Sequence, residues 1–258
     1  MKIEWHMPGD TPSEWQFYRK VDEMTKAIVV EIEFNNRSNR GGVYKIGLTP
    51  QWIKYRMAIF MKYTLQSLLK QTNQGFHAFI RYTERTEGII KAELAKYPKL
   101  PANIRFVAEN KYEDKLRKTV GGTPYLYLVR LDCDDTYHHS LIDQLHKYKP
   151  KAGTRALINQ DGYIYDSVKH RIATVSKSSP PFYTWIYKSE LYFGGLRYKT
   201  VDGHSGVIKH KHEILTTAGK RNYMVVVHNR NTLNQRLLNQ HTFIANKAKV
   251  DAILNQFI

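Results

Sequence analysis

The chain has 258 residues, of which 42% are hydrophobic and 12% aromatic, so it can bury a full core as one large domain or two small ones. Its single cysteine, Cys133, excludes an internal disulfide framework and a cysteine-rich zinc site, and it agrees with a reducing compartment. Forty Lys and Arg against 23 Asp and Glu give a net charge of +17, which favours anionic partners: nucleotide diphosphates, nucleic acid, a teichoic-type polymer or an anionic membrane face.

No apolar run reaches the length of a membrane span, and the N-terminus lacks the basic-then-apolar order of a signal peptide. The sequence therefore predicts a cytoplasmic protein without a transmembrane segment, with peripheral contact at the inner face of the membrane as an alternative. The basic residues are scattered rather than gathered in one tract, so charge alone does not choose among the anionic partners.

The first half of the chain alternates strand-like and helix-like segments. Residues 1–26 carry Pro8, Gly9 and Pro12, which favours an extension or a short helix over a core element. The spacing of apolar residues then predicts the following order: strand 27–34, helix 51–70, strand 76–82, helix 87–97, strand 104–107, helix 112–120, strand 125–131 and helix 139–148. This alternation predicts an α/β fold with a largely parallel sheet.

The second half has shorter apolar runs and more turn signals. Two of these runs, 156–159 and 163–165, flank Gln160, Asp161 and Gly162, which predicts a β-hairpin. The other segments are a polar loop 176–182, a strand 183–187, a glycine-containing loop 194–206, a strand 223–227 and a helix within 232–258. The glycines of 194–206 indicate a loop that is either mobile or close to a ligand. The last helix has an apolar face that is expected to pack on its own domain, with membrane binding or dimerisation as the alternatives.

Three carboxylates within four residues, Asp132, Asp134 and Asp135, follow the apolar run 126–131. Acids gathered where a buried strand ends are costly, because like charges repel and the protein solvates them poorly. A hard divalent cation such as Mg²⁺ or Mn²⁺ would remove that cost, and it commonly bridges carboxylates to substrate phosphates. The alternatives are a surface turn, or Asp135 capping the helix that follows.

Polar residues also follow two other predicted strands. Asn35 comes after the first strand and Glu84 after the second. Ligands of parallel α/β sheets sit beyond the carboxyl ends of the strands. We therefore expect these two residues and the acid cluster to converge on one edge of the sheet.

This order of elements resembles nucleotide-sugar glycosyltransferases of the A-type fold, and within them the bacterial putative rhamnosyltransferase group. The resemblance lies in the helix end 67–72 (Ser-Leu-Leu-Lys-Gln-Thr) and the run 130–135 (Arg-Leu-Asp-Cys-Asp-Asp), with further support from 52–66, 180–184 and 227–231. Two positions depart from the pattern of that group: Glu84 stands where Asp is usual, and Asn229 where Gly is common.

The resemblance implies a Rossmann-like, mostly parallel central sheet flanked by helices, with a smaller β region on the acceptor side. No internal repeat or low-complexity linker divides the chain, so we expect a single domain over residues 1–258. Within it, residues 27–150 would bind the nucleotide sugar, 151–231 the acceptor, and 232–258 would form the C-terminal helix.

The resemblance also implies a metal-dependent, inverting transfer from a nucleotide-diphosphate sugar. Asp134 would bind Mn²⁺ or Mg²⁺ together with Asp132 or Asp135 and with His228, and the ion would neutralise charge on the leaving diphosphate. A structural role, with the ring hydrogen-bonded at a strand end, is the alternative for His228.

Other residues are candidates for the nucleotide itself. Glu84 and Asn35 would bind the ribose or the base, with a solvated charge and a turn-forming residue as the respective alternatives. Arg matches phosphate in a bidentate manner, so the candidate diphosphate contacts are Arg37, Arg117 and Arg130. Each of these could instead be a surface or structural charge.

Inverting transfer needs a general base for the acceptor hydroxyl. Asp202, between Val201 and Gly203, is the first choice, and His204 is the second, either as the base or as a partner that orients Asp202. Glu213 and Glu190 follow as weaker candidates, and an ordinary turn is the alternative. The spaced pair His210 and His212 lacks a third metal ligand in register and is expected to be solvated surface.

The expected function is transfer of a sugar, rhamnose by resemblance, to a hydroxyl of a cell-surface glycan precursor, and this acceptor could itself be anionic. The net charge supports a second hypothesis, a glycosyltransferase acting on modified nucleic acid such as phage-type DNA. A third is a non-catalytic module that binds anionic polymer. The sequence contains no Walker-type phosphate loop and no strand-linked dinucleotide fingerprint.

Overall fold

The computed structural model describes residues 25–37, 42–215, 220–230 and 234–258. The predicted N-terminal extension, 1–26, lies outside the described residues except for its last two.

The described residues form both strands and helices. The strands are β1 (Lys26–Glu33), β2 (His77–Tyr82), β3 (Ile104–Ala108), β4 (Tyr125–Asp132), β5 (Thr136–Tyr137), β6 (Ala156–Ile158), β7 (Asp161–Asp166), β8 (Arg171–Ser176), β9 (Tyr183–Lys188), β10 (His212–Ile214) and β11 (Tyr223–Val227). The helices are α1 (Pro50–Lys62), α2 (Thr64–Leu69), α3 (Glu87–Leu94), α4 (Tyr112–Val120), α5 (Leu141–Lys147), α6 (Ser189–Phe193) and α7 (Lys247–Leu254).

A seven-stranded sheet in the order β10-β6-β9-β4-β1-β2-β3 forms the centre of the molecule. Strands β4, β1, β2 and β3 run parallel, and β9 is antiparallel to both β4 and β6. The predicted α/β architecture with a mostly parallel central sheet is therefore confirmed.

Neighbouring residues of β1 face opposite sides of this sheet, since side chains alternate along a strand. Val30 packs in one core cluster with Ile53 and Phe60 of α1, whereas Val29 packs in another with Leu116 of α4. Both faces are covered by helices, so residues 27–30 of β1 and 125–129 of β4 form continuous apolar runs rather than alternating ones.

A second sheet, in the order β5-β11-β7-β8, forms the smaller β region. It overturns the predicted hairpin: β6 belongs to the large sheet, where it pairs with β9 and β10, whereas β7 pairs with β11 and β8. Gly162 lies inside β7, where a Cβ atom would come within 2.3 Å of the Tyr223 ring. This glycine allows close packing between strands and does not mark a turn.

The helix predicted over 51–70 is interrupted. It begins at Pro50, with Thr49 accepting a hydrogen bond from the Trp52 backbone N–H at 3.4 Å, and it breaks at Tyr63 into α1 and α2. The tail forms less helix than predicted, namely a short 3-10 helix at Asn234–Asn239 and α7. Residues of α7 and the segment after it pack on the second sheet, as expected: Val250, Leu254 and Phe257 cluster with Met224 and Val226.

No helix within the described residues is both long and apolar enough to cross a membrane.

Candidate functional site

The carboxyl ends of β1, β2 and β4 lie side by side, because these strands are parallel and in register. Glu33, the last residue of β1, is paired with Asp132 of β4 and with Arg81 of β2. The predicted convergence of the three segments on one edge of the sheet is therefore observed.

Asn35 holds two of these strand ends together. Its side-chain oxygen accepts a hydrogen bond from the Thr83 backbone N–H at 3.1 Å, and its amide nitrogen donates to the Gly47 carbonyl at 2.8 Å and to the Thr86 hydroxyl at 3.1 Å. The residue is 5% exposed. These bonds use the amide to link the chain after β1 to the chain after β2, so the side chain shapes the edge of the sheet.

Asp134 is buried at this edge, yet two groups keep it ionised. Its Oδ2 accepts a hydrogen bond from Nη1 of Arg56 at 2.7 Å and lies 3.3 Å from Nε2 of His228. Burial alone would raise the pKa of Asp134, but the charge of Arg56 and the hydrogen bond with His228 bring that pKa to about 2. The carboxylate is therefore charged at any physiological pH.

Arg56, on α1, is the site residue that sequence reasoning missed. It lies in the segment 52–66 that supports the family resemblance, where the sequence pattern gives it no role of its own. Its guanidinium lies 5.3 Å from the centre of the Trp52 ring, one helical turn earlier. The signal that could have found it is this Trp and Arg pair on one face of a helix that covers the strand carrying the acids.

His228 follows β11 of the second sheet and is 4% exposed. Its Nδ1 lies 2.9 Å from the Tyr55 hydroxyl and accepts a hydrogen bond from the Arg230 backbone N–H at 3.3 Å. A backbone N–H can only donate, so the proton of the neutral ring lies on Nε2 and faces Asp134. The histidine thus joins the second sheet to the acid cluster of the first.

Asp132 faces a different partner from Asp134. Nη2 of Arg130 donates to its Oδ1 at 2.8 Å, while Nη1 of the same arginine donates to the Pro181 carbonyl at 2.7 Å. Burial raises the pKa of Asp132, and Arg130 opposes that rise. Arg37 similarly donates to Glu33 at 2.7 Å. Two of the three candidate diphosphate contacts therefore lie at this edge, each paired with an acid.

Asp135 turns towards the second sheet. It is 3% exposed, and its Oδ1 accepts a hydrogen bond from the Val226 backbone N–H of β11 at 3.0 Å. Its carbonyl accepts from the Thr64 hydroxyl at 2.9 Å. Burial, together with the charges of Asp134 and Asp132, raises its pKa well above the ordinary value. These contacts indicate that Asp135 connects the two sheets, and they fit that structural role better than the predicted role of metal ligand.

Cys133 is buried, and burial raises its pKa, so the thiol stays protonated and serves as a spacer between the acids.

In the described part of the chain, no group of three or more His, Cys, Asp and Glu side chains is arranged to hold a metal ion. Two donors do converge, since the Asp134 carboxylate and the His228 ring approach to 3.3 Å. Mg²⁺ in phosphate-transfer sites usually takes one or two carboxylates from the protein and the rest of its ligands from phosphates and water. The donor set therefore fits an ion that arrives with a diphosphate.

Both candidate bases, Asp202 and His204, are exposed. Asp202 forms an ion pair with Lys209 at 2.6 Å. Burial lowers the pKa of His204, the charge of Arg130 lowers it further, and Asp132 opposes. Its carbonyl accepts a hydrogen bond from the Ser179 hydroxyl at 2.9 Å, which ties it to the loop that also holds Arg130.

Arg117 and Glu213 are not brought to this site. Arg117 of α4 stacks on the Phe193 ring at 4.4 Å from the ring centre and donates to the Phe193 carbonyl. Glu213 accepts hydrogen bonds from Thr154 and Tyr148 and supports the local loop.

Glu84 and Glu190 are both exposed. Glu84 begins the 3-10 turn Glu84–Thr86 directly after β2, so it remains at the edge of the sheet. His210 and His212 each contact a backbone carbonyl at 2.9 Å.

Comparison with known proteins gives one family match. Residues 43–234 match the model of the family described as putative rhamnosyl transferase. No protein of curated function matches the sequence.

Solved structures show distant similarity only. The structure of S. aureus TarS 1-349 in complex with UDP is 12% identical, with a TM-score of 0.38; the alignment covers 78% of this chain and 60% of that one. The longer S. aureus TarS structure is 12% identical with a TM-score of 0.39, covering 90% of this chain and 42% of that one. A 4-diphosphocytidyl-2C-methyl-D-erythritol synthase from Anaerococcus prevotii is 14% identical with a TM-score of 0.35, covering 92% and 99%. The chain thus spans 60% of the shorter TarS chain.

Proposed function

Since the family model covers residues 43–234, the chain belongs to the putative rhamnosyl transferase family, and we propose that it transfers a sugar from a nucleoside-diphosphate donor to an acceptor hydroxyl. Family membership confirms the resemblance found in the sequence. We further propose a deoxythymidine-diphosphate rhamnose donor and a cell-surface glycan precursor as the acceptor. Residues 27–150 would bind the donor and 151–231 the acceptor.

The observation that carries this proposal is the ionised Asp134 at the carboxyl end of β4, between Arg56 and His228. A carboxylate that stays ionised at physiological pH is an oxygen donor of the kind that Mg²⁺ and Mn²⁺ take from proteins. Its position at the end of a central strand is where α/β sheets bind nucleotides.

We propose that Asp134 and His228 hold Mn²⁺ or Mg²⁺ together with oxygens of the donor diphosphate. The bound ion would act as a Lewis acid that stabilises the charge on the leaving nucleoside diphosphate. His228 would then present the lone pair of Nε2 and carry its ring proton on Nδ1, donating it to the Tyr55 hydroxyl. The Arg230 backbone N–H, which now donates to Nδ1, would give up that bond.

Side chains at the same edge of the sheet would bind the remaining parts of the donor. Arg130 and Arg37 would exchange their present carboxylate partners for phosphate oxygens, since guanidinium N–H groups donate to both kinds of oxygen. Glu84 lies at the end of β2, where it would accept hydrogen bonds from the ribose or base. Asn35 keeps the two strand ends in register.

For the chemical step we propose inversion at the anomeric carbon. The acceptor oxygen forms a bond to that carbon on the face opposite the diphosphate, the bond from carbon to diphosphate oxygen breaks, and the acceptor proton passes to His204. We choose His204 over Asp202 for this role, because the carboxylate of Asp202 is engaged in an ion pair with Lys209.

The proposal is tested by ligand-induced stabilisation. A ligand that binds only the native state raises Tm, so deoxythymidine diphosphate with Mn²⁺ should raise the Tm of the wild-type protein. Asp134→Asn removes the charged ligand and should abolish the Mn²⁺-dependent part of that rise. The measurement is a thermal shift over a panel of nucleoside diphosphates, with and without metal.

Asp143→Asn is the matched control, since Asp143 pairs with Lys147 on the surface of α5 and should keep the full response. A protein that responds to no nucleotide in the panel would exclude the proposed function.

A further inference from the structure

A cleft of about 630 Å³ lies beside the candidate site, on the side of the second sheet. We call it the basic cleft; the residues that line it include Asp166, Val168, Lys169, Arg171, Asn229 and Arg236. They come from the turn between β7 and β8, from the chain after β11, and from the 3-10 helix Asn234–Asn239. The sequence patterns gave none of these residues a role.

Hydrogen bonds connect the basic cleft to β11, the strand that directly precedes His228. Ser167, in the β7–β8 turn, donates hydrogen bonds to the Val227 carbonyl from its backbone N–H at 3.0 Å and from its hydroxyl at 2.9 Å. Val227 ends β11 and directly precedes His228, and Asn229 on the other side of His228 lines the cleft. A molecule bound in the cleft would therefore lie next to the position proposed for the donor diphosphate.

The side chains that line the basic cleft leave a net positive charge. Its one acid, Asp166, accepts hydrogen bonds from Nε of Arg171 at 2.8 Å and from two backbone N–H groups at 3.1 Å, and its side chain is 1% exposed. Lys169 and Arg236 are exposed and form no ion pair with any acid in the described ranges. Two uncompensated cations on a concave surface attract an anion.

The turn between β7 and β8, which carries Lys169 and leads into Arg171, is held in one conformation. His170 has a φ of 48°, in the left-handed region that few residues other than glycine adopt. Its ring contacts the Tyr165 hydroxyl at 3.0 Å and the Asp251 carboxylate at 2.9 Å. Arg171 in turn stacks on the Phe243 ring, 4.4 Å from its centre. Lys169 and Arg171 therefore start from fixed backbone positions, which reduces the entropy lost when an anion binds.

We propose that the basic cleft binds an oxyanion, phosphate or carboxylate, of the glycan acceptor, so that this chain glycosylates an acidic glycan. The proposal rests on the proposed glycosyl transfer and adds the class of its acceptor. Val168, a 58% exposed apolar residue at the same turn, offers a surface for the C–H face of a sugar next to the anion. The cleft has the size of a small-ligand pocket, which suits a few glycan units better than a nucleic-acid duplex.

The test compares four six-unit probes: a glycerol-phosphate oligomer, an oligogalacturonate, neutral maltohexaose and single-stranded deoxythymidylate. Binding is measured by calorimetry at low salt, with deoxythymidine diphosphate present to fill the donor site. One or both acidic glycan probes should bind at least about tenfold more tightly than maltohexaose, since each hydrogen bond to a charged group contributes more than a neutral one. The double variant Lys169→Ala/Arg236→Ala should lose that difference and keep the Tm rise with the nucleotide.

Arg105→Ala/Lys118→Ala is the matched control, since it removes two exposed cations from β3 and α4, far along the large sheet. It should change binding less than about twofold, as expected for surface charges that do not touch the ligand. Both side chains changed in the cleft are exposed, so the fold should persist, whereas Arg171 is left in place because it neutralises the buried Asp166.

Three results would overturn the inference. They are equal binding of acidic and neutral glycans, full binding by the Lys169→Ala/Arg236→Ala variant, or a preference for deoxythymidylate over both acidic glycans. The last would favour a nucleic-acid acceptor. None of these depends on the nucleotide-induced rise in Tm, so the inference can fail while the proposed function stands.

Discussion

The carboxylates of Asp134 and Asp135 are neighbours in sequence, yet their surroundings give them opposite properties. Arg56 and His228 keep Asp134 ionised, whereas Oδ1 of Asp135 accepts a hydrogen bond from the Val226 backbone N–H. One acid is therefore prepared to bind a cation, and the other to fill a polar gap in the interior. This difference comes from a helix residue 78 positions earlier and a strand end 94 positions later, so the spacing of the motif alone could not reveal it.

A residue-scale prediction concerns His204. The neutral imidazole is the form that accepts a proton, and burial and Arg130 lower its pKa below the ordinary 6.5. The decline in activity with falling pH should therefore be centred below pH 6.5. His204→Gln should remove that decline and lower kcat by roughly 100- to 10,000-fold. Initial rates of sugar transfer from pH 5 to 8 provide the measurement.

Asp202→Asn provides the comparison for His204→Gln, because it removes only an exposed ion pair with Lys209. A larger loss of kcat in Asp202→Asn than in His204→Gln would assign the base to Asp202 instead.

At the scale of elements, local patterns predict the parallel strands of the large sheet well and the short strands of both sheets poorly. Strands β1 to β4 are apolar runs bounded by turn residues, and they were predicted nearly at their observed limits. Strands β5, β8 and β10 are short or mixed in character and were missed. The hairpin signal at Gln160 and Gly162 was local, but pairing with β11, some sixty residues later, determines where β7 lies.

Gly162 provides the element-scale prediction. A Cβ at this position would meet the Tyr223 ring at 2.3 Å, and that ring cannot move away because it stacks on Phe182 with 3.9 Å between centres. Gly162→Ala should therefore reduce the free energy of unfolding by about 1–3 kcal/mol, the usual cost of overpacking. Gly88→Ala is the control: nothing lies within 4 Å of its Cβ in α3, and alanine favours the helix. Urea unfolding of the two variants gives the comparison, and equal stability would contradict the packing argument.

At the scale of the whole molecule, the site is a joint between two sheets. Asp134 belongs to the chain that leaves the large sheet and His228 to the end of β11 in the small one, so neither sheet carries the site by itself. The part of the site at the edge of the large sheet can be predicted from the sequence, because parallel strands place their carboxyl ends together. The docking of the second sheet depends on long-range contacts that have no local signal, such as the stack of Phe182 on Tyr223. The basic cleft was missed for the same reason.

Asp135 tests whether this joint is structural. Asn at this position can still accept the hydrogen bond from the Val226 N–H, whereas Ala leaves that buried N–H unpaired at a cost of about 1–3 kcal/mol. Asp135→Asn should keep both its Tm and the Mn²⁺-dependent stabilisation by deoxythymidine diphosphate, and Asp135→Ala should lower Tm by several degrees. Thermal unfolding of both variants beside Asp134→Asn separates the two roles. Loss of the metal response in Asp135→Asn, with Tm unchanged, would make Asp135 a ligand, because an amide would then have replaced a carboxylate that the ion requires.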